Sequence, residues 1–146
     1  MKKIITYICS FIFLACSNDS STRNPYLPET NFSFEINLNL PLYGSLANPG
    51  SAIYIGNEGV GLKGVFVYNA GFGQFLAWEA SCPNHTPTSC STMTIINGNM
   101  CKCSCEDYEY SLVNGTMLSE IPADKKIHEL LIYRTTANDN VVTIFN

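Results

Sequence analysis

From residue 32 to residue 42 apolar and polar side chains alternate. Phe32, Phe34, Ile36, Leu38, Leu40 and Leu42 fall on one face, and Ser33, Glu35, Asn37 and Asn39 on the other. A period of two predicts a half-buried strand, with Pro41 at its end or on an edge. Further β-type runs follow at 52–55, 65–68, 75–79, 92–96, 108–113, 128–134 and 141–145, separated by turns rich in Gly, Pro and Asn. Asn97-Gly98 and Asn114-Gly115 are hairpin signals, and Asn138-Asp139-Asn140 closes another turn. No window of helical length carries a 3.6-residue period, and no internal repeat is present. The pattern predicts an all-β domain, an antiparallel sandwich or small barrel.

Upstream the pattern changes twice. MKKIITYICSFIFLACSND has a lysine pair, an apolar run over residues 4–15 and then Cys16. The run is too short to span a bilayer, which takes about 20 residues, and its positive flank reads as an export signal. Phe13-Leu14-Ala15-Cys16 resembles the lipobox of bacterial lipoproteins, with Phe in place of the usual leading Leu. The division expected is a signal peptide over 1–15, a polar tether over 16–31 after a lipidated Cys16, and a β domain over 32–146. At 146 residues, 46% of them hydrophobic and 14% charged, the chain supports one core.

Cleavage before Cys16 would remove Lys2 and Lys3, so the formal charge of −4 loses two positive charges and becomes −6. So acidic a protein is a poor ligand for nucleic acid or for anionic lipid. The expected membrane link is the acyl chains, the expected location the bacterial cell envelope at the inner or outer membrane, and any protein partner an envelope protein that the residues do not name. Export also favours oxidised thiols, and five cysteines lie in the domain: Cys82, Cys90, Cys101, Cys103 and Cys105.

Motifs for catalysis are missing. Gly59-Val60-Gly61-Leu62-Lys63-Gly64 matches the dinucleotide fingerprint in letters only, because VFVYN continues as a strand where a helix N-terminus would have to hold the pyrophosphate. Turn or bulge glycines are the better reading. His128, in IHELLIY, reads as a solvent-facing or hydrogen-bonded strand histidine. Trp78 reads as core, and Glu106-Asp107 as a solvated loop tip rather than an acid/base pair. With no G-x-S-x-G, no H-E-x-x-H and no Ser/His/Asp spacing, no catalytic residue is assigned.

The cysteines carry the remaining chemistry. In CKCSC an extended chain points Cys101, Cys103 and Cys105 the same way, with Cα atoms at i and i+2 about 6.6 Å apart, which is poor geometry for bonding one another. Their partners must lie elsewhere. SCPNHTPTSC, the hairpin TMTIINGNM and then CKCSCEDYEYSLVNG resemble the two ligand loops of a Rieske [2Fe–2S] domain, over roughly residues 32–146. More narrowly, the run from the lipobox through NPYLP and INLNLPLY to AWEASCPN looks like the small Rieske-like lipoproteins of Bacteroidetes-type bacteria.

The resemblance implies two cysteine-bearing loops at one tip of the β body, with Cys82 and Cys103 at the cysteine-ligand positions. Asn84 stands at the first histidine position, with His85 one place late, and Glu106 at the second. Asp107 replaces the glycine that usually follows. An amide oxygen or carboxylate is a harder donor than a neutral imidazole. The family geometry also implies that Cys82 and Cys103 could bond directly, and Cys90 with Cys105, leaving Cys101 as the odd thiol. Three readings follow. The first is a cofactor-free, disulfide-stabilised structural or interaction module. The second is an electron-transfer protein with a [2Fe–2S] cluster on Cys82, His85, Cys103 and Glu106. The third is a zinc site on Cys82, His85, Cys103 and Cys105, or a thiol redox role.

Overall fold

The computed structural model describes residues 24–121 and 123–146, so the expected signal peptide and Cys16 lie outside the described residues. Among the described residues, nine strands form two antiparallel sheets. In chain order they are β1 (Ser33–Asn37), β2 (Ala52–Ile55), β3 (Val65–Gly71), β4 (Gln74–Glu79), β5 (Thr94–Ile96), β6 (Met100–Lys102), β7 (Glu109–Ser111), β8 (Ile132–Asn138) and β9 (Val141–Phe145). The larger sheet runs β1-β9-β8-β4-β3-β2 and the smaller β5-β6-β7. The only helical turn among the described residues is the 3-10 segment Gly44–Ala47.

β3 explains how the sheets share a core. Its residues alternate between two apolar clusters: Val65 and Val67 join Ile36, Leu46, Ile55, Val142 and Ile144, while Phe66 and Tyr68 join Trp78, Met93, Tyr110 and Leu112. β4 divides the same way, Phe75 and Ala77 to the first cluster and Trp78 to the second. A strand buried on both faces reads as a continuous apolar run, which is what VFVY is. The small sheet covers the second face, so the cysteine loops sit on a packed floor.

The predicted strand over 32–42 stops at Asn37. The Asn37 side chain accepts from the Asn39 N–H at 3.0 Å and its carbonyl from Leu40 at 3.0 Å, turning the chain before Pro41. Phe32, Phe34 and Leu38 pack on the core as the alternation requires, whereas Leu40 and Leu42 stay exposed. Residues 24–31, expected within the tether, lie against the domain. Leu27 is 3% exposed, Asn24 Nδ2 donates to the Pro83 carbonyl at 2.8 Å, and Asn146 Nδ2 donates to the Thr30 carbonyl at 2.7 Å.

The G-x-G-x-x-G stretch cradles a carboxylate of the protein itself. Glu79, fully buried at the end of β4, accepts from Leu62 N at 2.7 Å and Lys63 N at 2.9 Å. It also accepts from Ser81 N at 2.8 Å and from the Tyr133 hydroxyl at 2.7 Å. Gly61 has φ +66°, and a Cβ there would lie 2.8 Å from Glu79 Oε2. The glycine lets successive N–H groups converge on an anion, as phosphate-binding loops do, with an internal acid in the anion's place. Through Ser81 N this network reaches the residue before Cys82 and fixes the start of the first cysteine loop.

Candidate functional site: the cysteine tip

Two loops meet beyond the small sheet. The first, residues 82–91, leaves β4 and is closed by Cys82 N donating to the Ser91 carbonyl at 2.8 Å and by the Ser81–Thr92 bridge. The second, residues 103–108, joins β6 to β7. Cys103 N donates to the Tyr108 carbonyl at 2.8 Å, and Asp107 N donates to the Cys103 carbonyl at 3.0 Å. Asp107 takes the left-handed backbone, φ +60°, a conformation that Asp tolerates better than most non-glycine residues. Its carboxylate pairs with Lys102 Nζ at 3.1 Å in the open. It therefore forms no acid/base pair with Glu106, whose Oε2 is buried without a hydrogen-bond partner.

Two disulfides tie the loops together. Cys82 bonds Cys103, with Cα atoms 5.6 Å apart, and Cys90 bonds Cys105, with Cα atoms 5.4 Å apart. These are the pairs that the family geometry implied. The strand alternation that sets Cys101 and Cys103 inward ends with β6, and a turn carries Cys105 across to Cys90. The bridges form two layers: Cys82 and Cys103 are completely buried, whereas Cys90 is exposed and Cys105 half-buried. Cys101 is a free thiol, buried, donating to Met93 Sδ at 3.8 Å. Burial pushes its thiol up to about 12, so it is inert as a nucleophile near neutral pH.

His85 lies beside the inner bridge, Nε2 at 3.8 Å from Cys103 Sγ, and its Nδ1 is 2.9 Å from the Thr86 carbonyl. One ligand atom each from Cys82, His85, Cys103 and Cys105 lies within 4.8 Å of the others. The donor set expected for zinc is thus gathered, and Glu106 is not among it. Asn84 faces away: its Oδ1 accepts from His128 N at 2.7 Å, and its Nδ2 donates to the His128 carbonyl at 3.1 Å and the Tyr110 hydroxyl at 2.7 Å. Burial raises the Tyr110 hydroxyl well above the ordinary phenol range, which the Asn84 hydrogen bond partly offsets. The His128 ring meets Tyr26 edge-on at 5.9 Å, and its imidazole is held below the usual histidine value by burial and then by Lys126.

No family model matches the chain, and no curated protein matches it. Among solved structures it is similar to the terminal oxygenase of carbazole 1,9a-dioxygenase from Novosphingobium sp. KA1, with a TM-score of 0.50 over 84% of this chain and 31% of that one, at 17% identity. The fold is Rieske-like. A chain from the complex of reduced oxygenase and oxidised ferredoxin in carbazole 1,9a-dioxygenase is also similar, at 20% identity over 67% of this chain and 82% of that one, with a TM-score of 0.44. A Rieske-like domain places its two ligand loops at one tip, where the bridged loops of this chain lie. The residues that spacing alone did not reveal are Asn84 and Tyr110. An asparagine that holds a distant backbone leaves no periodic mark in a sequence.

Proposed function

We propose that the protein is an exported, lipid-anchored Rieske-like module of the bacterial envelope, in which a pair of disulfides does the structural work of the cluster. It acts as a structural or interaction domain rather than an electron carrier. The observation that carries the reading is the commitment of Asn84. The residue at the first imidazole position has both amide atoms engaged in holding His128 and Tyr110, so it offers no donor to an iron. Glu106 at the second position is a carboxylate, harder than the imidazole nitrogen it replaces, and the Cys82 and Cys103 sulfurs are bonded to each other. These residues do not fit a Rieske cluster.

Each bridge contributes about 2–4 kcal/mol by restricting the unfolded chain, a useful contribution where no metal ties the loops. The test is to purify the protein in air and record its visible spectrum, iron content and intact mass before and after reduction. A colourless protein that gains about four mass units, two hydrogens for each bridge, is the expected result. A brown protein with two irons per chain would overturn the proposal.

A further inference from the structure

Reduction of the tip leaves four thiols around a histidine that is already oriented. We infer that the reduced protein binds one zinc ion through Cys82, His85, Cys103 and Cys105, making the tip a redox-gated metal site. The inference takes from the proposed function only the oxidised pairing of the cysteines.

Three features carry it. The first is distance: zinc–sulfur bonds of about 2.3 Å at tetrahedral angles set ligand atoms about 3.8 Å apart. His85 Nε2 is already 3.8 Å from Cys103 Sγ, and all four ligand atoms lie within 4.8 Å of one another. Opening the inner bridge moves its sulfurs apart toward that spacing. The second is the histidine's tautomer. The Thr86 carbonyl 2.9 Å from Nδ1 can only accept, so Nδ1 carries the proton and Nε2 presents a lone pair to the sulfurs. A backbone carbonyl orienting a ligating imidazole in this way is the usual second layer of a zinc site. Ser91 Oγ, 3.5 Å from Nδ1, lies on the same side.

The third feature is the layering of the bridges, which supplies a route. A dithiol reductant reaches the exposed Cys90–Cys105 bond, delivers two electrons and two protons, and becomes a disulfide. The freed Cys105 thiolate lies within 4.8 Å of both inner sulfurs. It attacks Cys82 Sγ, forming a Cys82–Cys105 bond and expelling the Cys103 thiolate. That bond includes the half-buried Cys105 sulfur, through which a second dithiol reduces it with two more electrons and two protons. Zinc then displaces three protons, from Cys82, Cys103 and Cys105, and Cys90 remains a thiol. Cys101, outside the set and packed on Met93, takes no part.

The test uses the purified protein, stripped with chelator and titrated anaerobically with cobalt and then zinc, with and without prior reduction by a phosphine. Reduced protein should take up one cobalt, with the intense visible bands of a tetrahedral thiolate site, and lose them when zinc displaces it. Oxidised protein should bind none. His85→Ala should weaken binding by more than about tenfold, and Cys101→Ala should leave it unchanged. If reduction alone unfolds the chain, zinc should restore the emission of Trp78, since metal and fold are then linked.

A reduced protein that shows no tetrahedral cobalt and no metal-dependent refolding overturns the inference, as does a His85→Ala variant that binds as tightly as the parent. The mass of the oxidised protein tests the bridges separately. Failure here would leave the bridged module standing, whereas iron in the protein as purified would remove the oxidised pairing and with it both the module and the redox gate.

Discussion

Asn84 and His128, 44 residues apart, are joined by a two-way hydrogen bond in which the Asn84 amide both accepts from and donates to the same backbone unit. The bond ties the first cysteine loop to the segment that leads into β8. Asn84→Ala strands the His128 N–H and carbonyl and removes the partner of Tyr110, at a cost of about 1–3 kcal/mol. Denaturant midpoints with both bridges intact should show this loss. No change would mean that solvent replaces the amide and that the tip is held by its disulfides alone.

Glu79 gathers its donors from three parts of the chain. Tyr133→Phe deletes one of the two donors at Oε2, leaving Leu62 N, and should cost about 1.5–3 kcal/mol, the range for a hydrogen bond to a charged group. Glu79→Gln should cost more, because one end of the amide must then face N–H groups that it cannot accept from. The reverse ranking by equilibrium unfolding would contradict the cradle.

Gly115 packs against Trp78. With φ +78°, it would place a Cβ 2.6 Å from the indole Cζ3, and the indole is fixed by its Nε1 donating to the Leu112 carbonyl at 2.9 Å. Gly115→Ala combines left-handed strain with overlap against a rigid ring, about 2–4 kcal/mol together. Trp78 is the only tryptophan, so its emission should shift as the stability falls. An unshifted spectrum with an unchanged midpoint would count against this packing.

Cys101 gives the stability a pH dependence of defined sign. In the fold its proton is held up to about 12, while an unfolded thiol releases it above the ordinary 9.0. The folded state therefore binds more protons, and stability falls as pH rises through that window, by about 1.4 kcal/mol per pH unit at the steepest. Burial also raises Tyr110 and Tyr133, but from 10.0, so the first part of the decline belongs to the thiol. Unfolding measured between pH 8 and 10 by rapid mixing, before thiolates reshuffle the bridges, should be flatter in Cys101→Ala. Equal slopes would refute the assignment.

Cys16→Ala should move the protein from the membrane fraction to the soluble fraction. Continued sedimentation with membranes would require a different anchor.

Much of the β framework was readable because it rests on local rules. Alternation placed β1, the apolar run VFVY placed β3, and Asn97-Gly98 turned the chain between β5 and β6 with both residues left-handed. Boundaries were less readable where side chains competed with the ladder. Asn37 ended β1 through its own hydrogen bond, and the run predicted from residue 128 paired only from Ile132, because His128 is held by Asn84 and Leu130 N donates to the Gly115 carbonyl. The bridged pairs followed from likeness to a family and not from spacing, since five cysteines permit many pairings. Nor could the glycine stretch have announced Glu79, whose partners converge only after β3 and β4 have paired.

Asn24 holds the carbonyl of Pro83, next to Cys82, so the described chain enters the domain at the sulfur-bearing end. Only eight residue steps separate Asn24 from Cys16, a leash no longer than about 28 Å when taut. An acylated Cys16 would hold that end close to the lipid headgroups. Molecules that exchange electrons or metal with the tip would have to arrive along the bilayer surface. A fluorophore at residue 87 should be quenched by headgroup-borne quenchers in the lipidated protein, and lack of quenching would show the opposite orientation.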